Sequence, residues 1–282
     1  MRFATSYQPA HHGLAPDRLL AYARHAEECG FEGLYLPEHL VLHPGATLGP
    51  MTLPATTPYL DPVDALAFVA AATSRLLLGT GVLLLPYHHP VPLAKRLATV
   101  DLLSGGRVRL LTVGVGALPG EARAVGVDFA SRGRRADEAI DVLRLLWSGG
   151  PDGVSNDGEF YPFEGLCSFP QPAGGLPVHV GGSSLAAARR AGRRGDGWFP
   201  GGALTPDERA RQLDVVRASA EEAGRDPAAL EYTRWGSIDM PERALDAYAA
   251  QGVTRIVVSA ASADPAGQRA ELSAFAKRFG LS

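Results

Sequence analysis

The chain has 282 residues, with 27 Lys and Arg against 30 Asp and Glu and a formal charge of −3. At 46% hydrophobic and 20% charged residues it is too apolar for a disordered chain, and its length fits one large barrel or sandwich, or two small domains. The near-neutral balance gives no global field for a nucleic-acid backbone, and two cysteines, Cys29 and Cys167, cannot build a disulfide framework. The longest apolar stretch, Leu76 to Pro86, is about half the ~20 residues a membrane helix needs, and the apolar start is broken at once by Thr5, Ser6 and Gln8. These features read as a soluble, cytosolic protein.

In chain order, a short β-like run repeatedly precedes a helical one. Strand Arg2 to Thr5 leads to a helix from Asp17 to Cys29, with Leu19, Leu20, Ala23 and Ala26 on one face, Asp17 as its cap and Gly30 as its stop. Strand Gly33 to Leu36 opens a long Pro/Thr/Gly-rich loop that ends at Asp61-Pro62. A helix (Val63 to Ala72), a strand (Leu76 to Thr80), a helix (Leu93 to Leu103), a strand (Val108 to Val113) and a helix (Arg134 to Trp147) follow. Residues 152–170 read as an inserted hairpin turning at Asn156-Asp157-Gly158. Strand Val178 to Val180 with helix Leu185 to Ala191, and strand Gly197 to Phe199 with helix Asp207 to Ala223, resume the alternation. Strand Leu230 to Thr233 with helix Glu242 to Ala250, and strand Arg255 to Val258 with helix Gln268 to Phe279, complete it. Eight such units predict a single-domain (β/α)8 TIM barrel over residues 1–282. The open doubly wound alternative lacks its GxGxxG after the first strand.

In such a barrel the reacting groups sit just past the C-terminal ends of the strands. That places Glu38 and His39 after strand two, Thr80-Gly81-Val82 at strand three and Gly114-Val115-Gly116 at strand four. Val180-Gly181-Gly182-Ser183-Ser184 follows at strand five. So many glycines and so few ionisable groups suit a large planar or phosphorylated ligand, because glycine lets backbone N–H groups approach closely. Gly181 to Ser184 precedes a helix, whose free amides and dipole favour a phosphate; alone, the same four residues read as a plain helix cap. Glu38-His39 is the strongest candidate for proton chemistry, the histidine as acid or base and the carboxylate orienting it. No HExxH or His-x-His pattern marks a metal site.

Several segments together resemble the luciferase-like monooxygenase superfamily, in its F420-dependent oxidoreductase branch. They are Glu28 to Tyr35 leading into Pro37-Glu38-His39, Ala71 to Arg75 before Leu78 to Val82, Asp101 to Arg107, Val113 to Gly116, Gly133 to Glu138, Val180 to Ser184, and Gly195 to Trp198. The resemblance implies coenzyme F420, or FMN as the alternative, on the top face and a small-molecule substrate. It also implies a homodimer, while the charge balance, the short apolar runs and the histidine spacing argue against a nucleic-acid partner, a membrane partner and a metal. It gives Glu38 and His39 the place near the reactive ring, and Gly81-Val82 a non-prolyl cis peptide beneath one ring face. Gly114 to Gly116 would lie at the ring edge and Gly181 to Ser184 at the phosphate. Relatives acting on sugar phosphates carry an acid where this chain has Ala117 and an aromatic residue where it has His43, which argues against glucose-6-phosphate oxidation. The expected chemistry is hydride exchange with a small organic molecule, with FMN-dependent oxygenation and a non-catalytic cofactor-binding barrel as alternatives.

Overall fold

The computed structural model describes residues 1–202 and 204–281. Among them, eight parallel strands close into one barrel, each beside its sequence neighbour and the last paired with the first. They are β1 (Arg2–Ser6), β2 (Gly33–Leu36), β3 (Leu77–Leu84), β4 (Val108–Gly114), β5 (Val178–Gly181), β6 (Gly197–Phe199), β7 (Glu231–Trp235) and β8 (Arg255–Val258). The outer ring is α1 (Pro16–Glu28), α2 (Pro62–Ala70), α3 (Pro90–Leu103), α4 (Arg132–Ser148), α5 (Leu185–Arg194), α6 (Pro206–Glu222), α7 (Ala244–Ala250) and α8 (Pro265–Phe279). The TIM barrel predicted from the alternation is the fold observed. No helix of the described residues is long and apolar enough to cross a membrane.

Covered by helices outside and side chains inside, the strands carry continuous apolar runs such as Gly33–Leu36, every residue of which is buried. The helix boundaries follow local chemistry. Asp61 accepts hydrogen bonds from the Val63 and Asp64 amides while Pro62 occupies the first turn of α2, and Thr205 with Glu208 forms a capping box on α6. In α1 the cap is Ala15, with Pro16 in the first turn, so Asp17 lies inside the helix instead of capping it.

Three features shape the open end. β3 runs past the predicted Thr80 to Leu84 through a bulge, and the Gly81-Val82 peptide within it is cis. The segment between β2 and α2 carries a small two-stranded ribbon, Thr47–Leu48 against Met51–Thr52. A short helix, Pro119–Ala124, follows β4 where the sequence reading had only loop. The 152–170 insertion pairs Val154–Asn156 with Phe163–Leu166. Its connection is longer than the predicted turn because Glu138 of α4 binds the Phe160 and Tyr161 amides and the Asn156 side chain.

The N-terminal end of the barrel is plugged by charge. Arg255 is buried and donates to Glu32 at 2.6 Å and to Glu231 at 2.5 Å. A guanidinium fully engaged in this way resists removal of either carboxylate, which would strand a buried charge at a cost of about 3–5 kcal/mol. His179 of β5 lies against the same cluster, and burial outweighs the pull of Glu231 to hold its pKa down at about 4. It is a neutral core imidazole.

Candidate active site

At the C-terminal ends of the strands lies a cleft of about 450 Å³. Pro37, Glu38 and His39 enter it from β2, Gly81, Val82 and Leu84 from β3, and Gly114 to Ala117 from β4. Gly181, Gly182 and Ser184 form the β5 side, and Phe199, Gly201 and Trp235 the β6 and β7 side. Leu48 and Tyr59 cover it from the segment between β2 and α2. A wider groove of about 800 Å³ opens at the opposite face, between Arg109, Arg144 and Asp196. It lies at the wrong end for barrel chemistry, and Arg144 and Asp196 are paired with each other at 2.7 Å.

Of the residues predicted for the site, Thr80, Val180 and Ser183 do not face the cleft. Thr80 is buried between strands, its hydroxyl donating to the Thr112 carbonyl at 2.7 Å, and Val180 packs in the core. Strand alternation turns both away from their cleft-facing neighbours. Ser183 leans toward α6, where its carbonyl accepts a bond from the Gln212 amide at 2.8 Å. The Ser184 hydroxyl accepts from the Ala187 amide at 3.1 Å, so it caps α5, whose first-turn amides open at the cleft's edge.

Two glycines have a packing reason of their own. A Cβ on Gly114 would stand 2.6 Å from one Val82 methyl and a Cβ on Gly181 2.5 Å from the other, so both are bare to admit Val82. Gly201 differs: a Cβ there would meet nothing within 4 Å and would project into open space.

The polar chemistry gathers at one wall. His39 donates from Nδ1 to Oε2 of Glu121 at 3.0 Å, and the Leu40 amide donates to Oε1 of the same carboxylate at 2.7 Å. Glu121 is 0% exposed and sits on the short helix after β4. An ionised carboxylate only accepts, so Nδ1 carries the proton and Nε2 is left for a ligand. The Tyr59 ring meets the His39 ring edge to face, with centroids 4.8 Å apart. Burial first, then the charge of Glu121, raises the Tyr59 pKa, so the phenol keeps its proton.

Glu38 does not orient His39. Its Oε2 accepts from the Leu84 amide at 2.5 Å and its Oε1 takes the His88 imidazole at 2.9 Å. Consecutive residues of an extended segment point to opposite sides, so the neighbour in sequence is not the neighbour in space. Sequence reasoning missed Glu121; the only signal was Leu118-Pro119, which marks a helix start with an acid in its first turn. Among the described residues no group of three or more His, Cys, Asp or Glu side chains could hold a metal ion.

A profile of the luciferase-like monooxygenase family matches residues 1–272. An F420-dependent glucose-6-phosphate dehydrogenase of Kribbella flavida is 32% identical, the match covering 86% of this chain and 77% of that one. An F420-dependent hydroxymycolic acid dehydrogenase of Mycobacterium tuberculosis is 34% identical over 78% of this chain and 58% of its own. Among solved structures, an F420-dependent secondary alcohol dehydrogenase bound to an F420-acetone adduct superposes with a TM-score of 0.81 at 17% identity, over 100% and 99% of the two chains. The barrel, the cleft at its C-terminal end and these likenesses agree: the chain belongs to the luciferase-like monooxygenase family and is an oxidoreductase.

Proposed function

We propose that the cleft binds coenzyme F420 and that the protein catalyses hydride exchange between it and a small organic substrate. The observation that carries this reading is the His39–Glu121 couple, its carboxylate fully buried, set at the wall of a mostly apolar, glycine-lined cleft. The names of the relatives support the choice of cofactor. The residues fit the group: backbone and small side chains at Gly81-Val82 and Gly114 to Gly116 offer a bed for a tricyclic ring. The empty space before Gly201 is a place a side chain would fill. Gly182, Ser184 and the first amides of α5 are suited to the cofactor's phosphate.

When bound, F420 supplies two-electron hydride chemistry. The protein's part is to bed the ring, keep water out under Leu48 and Tyr59, and manage one proton at Nε2 of His39. Glu121 fixes the imidazole's tautomer and direction; Glu38 ties the end of β2 to β3. A titration with F420 and with FMN, followed by turnover against enones, alcohols and quinones, tests the reading. F420 binding tighter than FMN, with substrate-dependent bleaching or regain of its absorbance, is expected. FMN binding with oxygen consumption would replace it by the monooxygenase reading, which the family's own description favours. Tight binding without any turnover would leave a cofactor carrier.

We propose further that the protein is a homodimer. Phe68 of α2 and Leu102 and Leu103 of α3, exposed by 45%, 58% and 78%, give adjacent helices an apolar outer face, and light scattering on the purified protein tests this.

A further inference from the structure

We propose that the cleft takes an uncharged substrate, with an apolar body and one carbonyl or hydroxyl oxygen, and that Tyr59 acts with His39 to hold that oxygen. The proposal deepens the redox reading above and rests on it.

The lining decides the charge of the ligand. Leu48, Leu84, Ala117 and Trp235 present hydrocarbon, and no lysine or arginine is among the lining residues. Arg132 comes near the rim, but its Nε donates to the Gly116 carbonyl at 3.2 Å and its Nη1 to the Phe129 carbonyl at 2.5 Å. Its guanidinium also lies 3.6 Å from the Phe129 ring centre, so Nε, Nη1 and one face are already engaged. Against this stand two buried carboxylates, Glu38 and Glu121, each spending its oxygens on a backbone amide and an imidazole. A carboxylate or phosphate in the substrate half would lose its water shell and gain no lysine or arginine among the lining residues.

The same wall supplies a matched pair of groups for one oxygen. Nε2 of His39 has no partner among the described residues, and neither has the Tyr59 hydroxyl. The two rings stand edge to face, and Tyr59 lines the cleft. Tyr59 stays a phenol at neutral pH, for the reason given above, and so can donate. In the oxidising direction the alcohol's O–H proton would pass to Nε2 of neutral His39, the C–H bond would break with its hydride going to the oxidised deazaflavin, and the O–H electron pair would close the C=O π bond. His39 would end as the imidazolium, its Nδ1 proton still hydrogen-bonded to Glu121, while Tyr59 keeps its proton and only donates a hydrogen bond. Ketone reduction would run the same steps backwards, from that imidazolium.

The test compares 2-heptanone with 6-oxoheptanoate, which has the same chain length and a terminal carboxylate, and with glucose 6-phosphate. Calorimetry reads binding without reaction on protein loaded with oxidised F420 for the two ketones and with reduced F420 for glucose 6-phosphate; absorbance reads turnover with the opposite redox form in each case. The expected result is at least about tenfold tighter binding and higher kcat/KM for the neutral ketone. In Tyr59→Phe, ketone affinity falls about tenfold while F420 affinity stays within about twofold. Equal or better binding of 6-oxoheptanoate or glucose 6-phosphate overturns the substrate class even if hydride transfer stands. Unchanged ketone binding in Tyr59→Phe overturns the role of Tyr59. Selective ketone binding with no transfer from F420 or FMN supports the substrate class and instead sinks the redox reading.

Discussion

Replacing Glu121 by glutamine is the sharpest test of the site, because it changes almost nothing but a proton's address. The carboxylate accepts two bonds, from His39 Nδ1 at 3.0 Å and from the Leu40 amide at 2.7 Å. A glutamine amide has one oxygen and one NH₂ to set in the same places. The Leu40 amide can only donate, so it claims the oxygen and leaves the NH₂ facing Nδ1. To avoid two donors meeting in a buried place, His39 must shed its Nδ1 proton and carry it on Nε2. The atom that should take a proton from the substrate alcohol is then already protonated. General acid–base catalysis contributes about 10²–10⁴-fold, so kcat for alcohol oxidation should drop by about 10²–10³-fold, equivalent to a rise of about 3–4 kcal/mol in the activation free energy. F420 affinity should stay within about threefold, and the fold should lose only about 1–3 kcal/mol for the weakened bonds. Single-turnover absorbance of F420, urea melts and a cofactor titration on the same preparation read the three numbers. A variant that retains a third or more of the wild-type rate would show that Glu121 does not set the tautomer. A parallel loss of cofactor affinity and rate would show that it merely holds the wall in place.

Gly201→Val should leave stability within about 0.5 kcal/mol, since the new side chain meets open space, yet weaken F420 binding at least about tenfold; unchanged affinity would place the ring elsewhere. His179 has a folded pKa of about 4 against 6.5 in the unfolded chain, because burial penalises its charged form. The unfolded state therefore binds the extra proton between those values, and the contribution is complete above pH 6.5 and declines, by up to about 3 kcal/mol, as pH falls toward 4. Urea melts across that window check it, and His179→Gln should flatten the slope. Glu27 accepts from the amides of Ser74, Arg75 and Leu76 at 2.9, 2.5 and 2.8 Å, tying α1 to the entry of β3. Burial works against its charge, but these three bonds win and hold its pKa below the usual range. Glu27→Ala should cost about 1–3 kcal/mol at pH 7 by urea melt, with the difference from wild type shrinking as pH falls below about 4.5 and the native carboxylate protonates.

The barrel was legible because its signal is repetitive: Gly33–Leu36 and residues 256–258 are apolar runs between helices whose starts and stops, such as Asp61-Pro62 and Gly30, have local chemical causes. The strand-end rule then picked out the glycine backbone that lines the cleft, Gly81 to Val82, Gly114 to Gly116 and Gly181 to Gly182, since it depends only on where strands stop. It overreached at Thr80 and Val180, where the pleat turns the side chain away. The covering residues lay beyond it. Leu48 and Tyr59 come from an aperiodic segment in which no hydrophobic period says what faces inward. Glu121 rides a helix of six residues, too short to show a buried stripe, and an acid in a first turn ordinarily reads as a solvated partner of the helix dipole.

The misreading of Glu38 has a physical lesson that bears on the chemistry. Two adjacent residues leaving a strand reach opposite walls, so Glu38 and His39 each find a partner of opposite kind far along the chain: His88 for the acid, Glu121 for the imidazole. The result is two carboxylate–imidazole couples, which fasten the end of β2 to the segments after β3 and after β4. Such an arrangement holds His39 from behind while leaving Nε2 unclaimed. A Glu38–His39 contact would have consumed the acid that now binds the Leu84 amide and left Glu121 buried opposite no imidazole. The wall can therefore be rigid and still offer one open proton site, which is what a protein needs when the bound cofactor carries the electrons and the side chains have only to place an oxygen and move a proton.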